Sequence, residues 1–305
     1  MGGRRACLTR ISEQNPIFRV FEGGQLCELE TEKQTSGRRG GGLRKHIRDF
    51  SADSRRRLQR RLAMINEMET KLPDFLTLTY PGEYSGDWRE WKKHLHHMNI
   101  SLVRRWPELW GVWRLEFQKR GAPHFHFLLF DGPCLVAMDV LDGNRNNKLR
   151  TIADPLCSYN REIFEWISST WYRIVGSGDP RHLAAGTRIE PIQSWNGVRH
   201  YTSKYLAKLP DEGGFVPAEY DGTGRFWGVI GKARWKVAMF EKEIPECIFF
   251  KIKRVFRKML ERRGVNPWRM RLRGSIDHGM STFISSPMAL RLLVWAWDET
   301  GGCPF

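Results

Sequence analysis

No apolar run in this 305-residue sequence approaches the roughly 20 residues that a membrane span requires. The opening Met1-Gly2-Gly3-Arg4-Arg5 has no apolar segment of the kind a secretory signal carries, so the expectation is a soluble protein of the cytoplasm, without a membrane partner. The six cysteines, Cys7, Cys27, Cys134, Cys157, Cys247 and Cys303, are scattered without a Cys-x-x-Cys pair. That spacing excludes a zinc ribbon and a dense disulfide scaffold, and suits a reducing compartment. No Gly-x-x-x-x-Gly-Lys-Ser/Thr is present; Gly228 and Gly231-Lys232 come nearest, at the wrong spacing and followed by Ala233, so no ATPase is recognisable. Nothing repeats at a period of about 20 to 50 residues, which excludes a solenoid. Acid is also scarce: 34 Asp and Glu face 50 Lys and Arg.

The resulting net charge of +16 asks for a polyanionic partner, most simply nucleic acid. A hydrophobic fraction of 41% with 13 Trp and 17 Phe is enough for a substantial core. Three segments are expected: a basic, partly disordered N-terminal extension (1–50), a main domain (51–240) and a basic helical C-terminal extension (241–305). Within the first, Ile17 to Phe21 reads as a short strand, and Gly37-Arg38-Arg39-Gly40-Gly41-Gly42 as a flexible basic loop. A helix capped by Ser51 or Asp53 follows, with Leu58, Leu62, Ile65 and Met68 on one side and Arg55, Arg56, Arg57, Arg60 and Arg61 on the other. Such a run is either a solvated face or a phosphate-binding one, and on so basic a chain the second reading gains weight. A second basic helix is expected at about 248–263, carrying Lys251, Arg254, Arg257 and Lys258.

Between them, Phe75 to Tyr80 alternates apolar residues with threonines and stops at Pro81-Gly82, a strand pattern. An amphipathic helix from about 87 to 104 carries His94, His96 and His97, of which only the first and last share a face. Leu109 to Phe117 and Ala122 to Phe130 read as two strands joined by Gln118-Lys119-Arg120-Gly121, hence an antiparallel hairpin. Further strands are expected at 187–192 and 225–231, helices at 160–175 and 288–297, and a polar surface loop at 139–155.

The second strand of the hairpin contains His124 and His126. Alternate residues of a strand emerge on one face, so the two imidazoles stand side by side and can hold one divalent ion. Glu116, eight residues before His124, falls across the turn where its carboxylate can join them. The plainer alternatives are an ordinary strand with two histidines on its less buried face, and a glutamate paired with Arg114 or Lys119. Downstream, Tyr201-Thr202-Ser203-Lys204-Tyr205-Leu206-Ala207-Lys208 is a tandem Tyr-x-x-Lys. On a helix Tyr201 and Tyr205 share a face, with Lys204 and Lys208 near enough to serve the same site, or to be merely solvated. A metal-bound phosphodiester and a tyrosine hydroxyl together describe strand cutting with a covalent phosphotyrosine.

These motifs resemble, in their order, those of the HUH endonucleases, and in particular rolling-circle replication initiators. Phe75 to Tyr80 is similar to the first motif, His124-Phe125-His126 to the His-hydrophobic-His motif, and Tyr201 to Lys208 to the tyrosine motif. The paired tyrosines resemble those of the replication A proteins of single-stranded DNA phages. The likeness covers about residues 50–235. It implies an α+β fold, a central antiparallel sheet of about five strands with packed helices (HUH or RRM-like). It implies Mg²⁺ or Mn²⁺ held by His124, His126 and Glu116, with Tyr201 and Tyr205 as nucleophiles and Lys204 and Lys208 at the phosphate. The substrate implied is single-stranded DNA at a replication origin, nicked and rejoined through a 5′-phosphotyrosine. Host helicase and polymerase would act as partners in the cytoplasm of a bacterium carrying a phage or plasmid. Arg55, Arg56, Arg60, Arg61 and the four basic residues near 251–258 are the expected DNA contacts. A two-tyrosine transposase or relaxase, or a non-catalytic single-strand-binding protein, are the alternatives.

Overall fold

The computed structural model describes residues 15–21, 26–30, 50–142, 148–198, 216–217, 224–235, 237, 239–267 and 279–299. The protein divides into two compact units, residues 43–237 and residues 1–42 with 238–305.

In the smaller unit, β1 (Ile17–Phe21) and β2 (Leu26–Glu30) form an antiparallel pair, flanked by β10 (Met239–Glu243) on β1 and β11 (Met280–Phe283) on β2. Sequence reading treats the two chain ends as separate extensions; their described strands share this one sheet. The helices α5 (Glu246–Arg262) and α6 (Ser286–Asp298) close one face of it. Phe18, Val20 and Leu29 there meet Ile248, Phe249, Ile252, Phe256, Ala289 and Leu293, all buried.

The larger unit is built on a five-stranded antiparallel sheet of order β8-β3-β5-β4-β9. Its strands are β3 (Asp74–Thr79), β4 (Trp110–Phe117), β5 (Pro123–Phe130), β8 (Thr187–Pro191) and β9 (Trp227–Ile230). With helices α1 (Ala52–Ala63), α2 (Trp88–Arg105), α3 (Ser158–Val175) and the short α4 (Pro180–Ala185), the architecture is α+β and of the HUH or RRM-like kind. The strand parity that alternates side chains between faces divides the labour. On one face Leu76, Leu78, Leu115, Phe125 and Phe127 are buried against Trp91, Leu95 and Met98 of α2 and Ile163, Ile167 and Trp171 of α3. On the other, Val112, Leu128 and Phe130 pack against Leu58 and Leu62 of α1 and Val198, which cover part of that face. Ser51 caps α1 by accepting from the Ser54 amide at 3.3 Å, and Trp227 Nε1 donates to Ser54 Oγ at 3.0 Å.

Two glycines are required by geometry. Gly121, at φ +82, closes the β4–β5 turn, where its amide donates to Gln118 O (2.8 Å). At Gly111 a Cβ would lie 2.1 Å from the Leu128 carbonyl oxygen, so the strand approach leaves no room for a side chain. One expectation fails: the stretch read as a loop, 139–155, holds a two-stranded hairpin of β6 (Ala137–Asp142) and β7 (Lys148–Ala153). Its strands carry Val140, Thr151 and Ile152, residues that favour strand, with Leu141 and Leu149, while the Asp-Gly-Asn-rich centre between them reads as loop. The same density of turn residues is what a hairpin loop needs.

Candidate metal and phosphodiester site

The histidine face of the sheet is assembled by register. In the β4–β5 pair, Glu116 stands opposite His124 and Arg114 opposite His126; in the β3–β5 pair, Thr79 stands opposite His124 and Thr77 opposite His126. Six polar side chains from three strands therefore share one face over two rungs. The imidazoles are 4.4 Å apart, centroid to centroid, and nearly perpendicular.

Each ring is fixed from the β3 side. Thr79 Oγ1 is 3.1 Å from His124 Nδ1, and Thr77 Oγ1 is 3.3 Å from His126 Nδ1. With Nδ1 engaged, Nε2 is the nitrogen left to face a ligand, the outer-shell arrangement that orients metal-binding imidazoles. Phe75 stacks on His126 at 5.4 Å, which further limits the ring. Burial, then the neighbouring His126, pushes the His124 imidazolium down to about 4, against the opposing pull of Glu116. His124 is accordingly neutral at pH 7 and offers a lone pair without first losing a proton.

Glu116 is shared. Its Oε2 is 3.3 Å from His126 Nε2 and its Oε1 is 3.2 Å from Arg114 Nη2. Arg114 is buried, and its guanidinium lies 4.6 Å over the Phe50 ring. The strand ends that present the site are tied down as well. The Thr79 carbonyl accepts from Trp171 Nε1 and meets His182 Nε2, both at 2.8 Å, while the Thr79 amide donates to Gly186 O at 2.8 Å. Arg120, in the β4–β5 turn, donates to the carbonyls of Tyr80 (2.6 Å), Pro81 (2.6 Å) and Gly82 (3.0 Å). It thereby clamps the loop after β3 to the hairpin.

The metal implied by the resemblance can be tested against these donors. Two imidazole nitrogens and a carboxylate form a mixed donor set in which the carboxylate is the donor that suits Mn²⁺ or Mg²⁺, and the threonine partners are of the sort metal-binding imidazoles have. As it stands, though, Glu116 is turned to Arg114 and His126, and among the described residues no group of three or more His, Cys, Asp or Glu side chains is arranged to hold a metal ion. The rival cluster disperses: His94 Nδ1 pairs with the buried Tyr80 hydroxyl (3.0 Å), while His96 and His97 are exposed.

Sequence reading named His124, His126 and Glu116, and these three are brought together. The threonines of β3, a strand signal in the sequence, alternate in phase with the two histidines and form a second row beside them. Arg114, Arg120 and His182 carry no such signal, because register and tertiary contact make their roles. Tyr201, Lys204, Tyr205 and Lys208 lie outside the described residues. Of the expected DNA contacts, Arg55, Arg56, Arg60 and Arg61 lie half-buried on α1, which packs on the histidine face, and Arg61 rests over the Trp235 ring at 4.5 Å. On α5, in the smaller unit, Arg254, Arg257 and Lys258 are exposed, and Lys251 pairs with Glu299 (3.4 Å). Among the described residues no helix is long and apolar enough to cross a membrane.

No curated protein and no solved structure shows significant similarity to the chain. One family model does match: residues 73–210, from β3 through both histidines and the tandem Tyr-x-x-Lys, fit the family described as replication-associated protein ORF2/G2P, which supports a Rep-type replication initiator.

Proposed function

We propose that the protein is a nickase and strand transferase that starts rolling-circle replication on single-stranded DNA. The observation that carries this reading is the pair of threonine-fixed imidazoles beside a carboxylate, on a sheet whose histidine face also seats the arginine helix α1. His124 and His126 would hold a divalent ion, with Glu116 as third ligand once it leaves Arg114. When bound, the ion supplies Lewis-acid polarisation of the scissile phosphate.

The remaining chemistry belongs to side chains. The hydroxyl oxygen of Tyr201 or Tyr205 attacks phosphorus and loses its proton; the P–O3′ bond breaks, and the departing 3′ oxygen takes up a proton. The products are a 5′-phosphotyrosine and a free 3′-OH, so the phosphodiester energy is kept for rejoining. Lys204 and Lys208 balance developing phosphate charge. Two tyrosines allow one to hold the first end while the other cuts again, as release of a displaced circle requires. Arg55, Arg56, Arg60 and Arg61 steer the strand through phosphate contacts.

The test is a denaturing gel of the protein with Mn²⁺ and single-stranded DNA from the origin of its own replicon. A covalent adduct is expected, absent with EDTA, with His124→Ala plus His126→Ala, and with Tyr201→Phe plus Tyr205→Phe. An adduct that survives loss of both tyrosines would refute the mechanism.

A further inference from the structure

On the side of the sheet away from the histidines, between α2 and the β4–β9 border, is a cavity of about 320 Å³. Six of its lining residues set its chemistry: Trp88, Lys92, His96 and Asn99 from α2, Trp113 from β4, and Arg225 just before β9. The two indoles give it aromatic walls. Trp113 is held in place by β9: it stands opposite Gly228, where an added Cβ would lie only 2.7 Å from the ring. Lys92 reaches 5.2 Å from the centroid of the Trp113 ring and donates from Nζ to the Arg225 carbonyl at 2.5 Å, which fixes a cation beside the aromatic surface. His96 and Arg225 are exposed, adding an imidazole and a second cation, and among the described residues no Asp or Glu lines the cavity. Asn99 Oδ1 is buried with no hydrogen-bond partner among the described residues. That orphan acceptor already costs free energy, which a donor brought in by a ligand would relieve.

The combination is selective. A simple anion has no use for two indoles, and an apolar ligand has none for the cations or a waiting amide. An aromatic base joined to a phosphate uses all three. The volume lies at the low end of ligand pockets, suited to one nucleotide rather than a dinucleotide. Because β9 is an edge strand, a polymer on the histidine face reaches the cavity by rounding a single sheet edge.

We propose that this cavity binds one nucleotide of the DNA strand, stacking its base on Trp88 and Trp113, pairing its edge with Asn99 and meeting its phosphate with Lys92, Arg225 and His96. The proposal rests on the single-stranded-DNA reading above and adds a second, non-catalytic anchor outside the histidine site. Stacking on tryptophan tolerates any base, so the anchor grips the strand whatever its sequence.

The probes are oligodeoxythymidylate of twenty residues and thymidine 5′-monophosphate, titrated into the full-length protein and followed by tryptophan quenching and fluorescence anisotropy. Quenching by the oligonucleotide is expected in the wild type, and about tenfold weaker binding in Trp88→Ala, the loss typical of one stacked base. Because Trp88 is part of the α2 packing, the surface pair His96→Ala plus Arg225→Ala is measured alongside, with circular dichroism as the folding control. It too is expected to bind several-fold more weakly. Unchanged oligonucleotide affinity in both folded variants overturns the proposal, even where the covalent adduct still forms. A monophosphate that binds as tightly as the oligonucleotide also overturns it, since the cavity is then a site for free nucleotide. The proposal stands, and the nicking reading fails, if the variants lose binding while wild-type protein with Mn²⁺ forms no adduct on origin DNA.

Discussion

The two faces of the five-stranded sheet are written by the same three strands, residue by alternate residue. On the α2–α3 face, β3, β4 and β5 contribute Leu76, Leu78, Leu115, Phe125 and Phe127, each at most 1% exposed. On the opposite face the intervening positions are Thr77, Thr79, Arg114, Glu116, His124 and His126. Each fully buried Leu or Phe contributes about 1.5–3 kcal/mol from area alone. The first face therefore packs core along these strands, while the second packs against α1 at Val112, Leu128 and Phe130 and carries at these six positions groups that cost energy to bury. A one-residue slip of β5 would exchange the two sets, so register is enforced by the core. Chemistry is thereby insulated from stability: the site is fixed by strands whose other sides do the folding.

That separation can be attacked from both sides. The largest effect should come from the apolar face. Phe125→Ala is expected to cost about 3–5 kcal/mol in denaturant unfolding, although residue 125 lies between the two histidines. Next, His124→Ala plus His126→Ala should abolish adduct formation, worth several kcal/mol of barrier, while unfolding stability shifts by only about 1 kcal/mol. A loss of stability as large as that of Phe125→Ala would end the distinction between the faces.

Asp74 is the exception that sharpens it, a carboxyl on the apolar side at the start of β3. It is 4% exposed and accepts from the Leu135 amide at 3.4 Å, and burial pushes it up from 3.8 to about 6. The folded protein thus holds this proton more tightly than the unfolded chain. Asp74 costs nothing below about pH 4; its cost grows as pH rises through 6 and is complete at pH 7. Asp74→Asn should therefore raise unfolding stability at pH 7 by about 3 kcal/mol and leave it nearly unchanged at pH 4. An equal gain at both values would remove ionisation as the cause. The smallest effect belongs to the threonine row: Thr79→Val, which keeps the shape but removes the His124 Nδ1 partner, is expected to weaken Mn²⁺ binding by about tenfold in calorimetry, with stability nearly unchanged.

Much of this was legible in the sequence because it rests on local periodicity. The strands at 74–79, 110–117, 123–130 and 187–191 and the helices at 88–105 and 158–175 fall within a few residues of their expected spans. The hairpin between Glu116 and His124 followed from a short Gly-containing turn. What escaped depends on distant partners. β2, β10 and β11 are short strands of four or five residues, and each is defined by its neighbours in the sheet. Arg114 looked like the trivial partner of Glu116, and it is indeed that partner; only the fold reveals that the same guanidinium is buried over Phe50. That pairing also explains why the carboxylate, though correctly placed across the turn, is not yet aimed at both imidazoles.

The anchoring of Thr79 has a consequence for motion. Terminal residues of a strand ordinarily fray, and their amides exchange with solvent through small local openings. Here the last residue of β3 has its amide given to Gly186 and its carbonyl shared by Trp171 and His182. Opening it requires α3, α4 and β3 to part together. The hydroxyl that aligns His124 is therefore carried by a segment whose opening is cooperative. A ligand of His124 meets an imidazole whose orientation has already been settled during folding, so little ordering entropy is left to lose at the moment of binding.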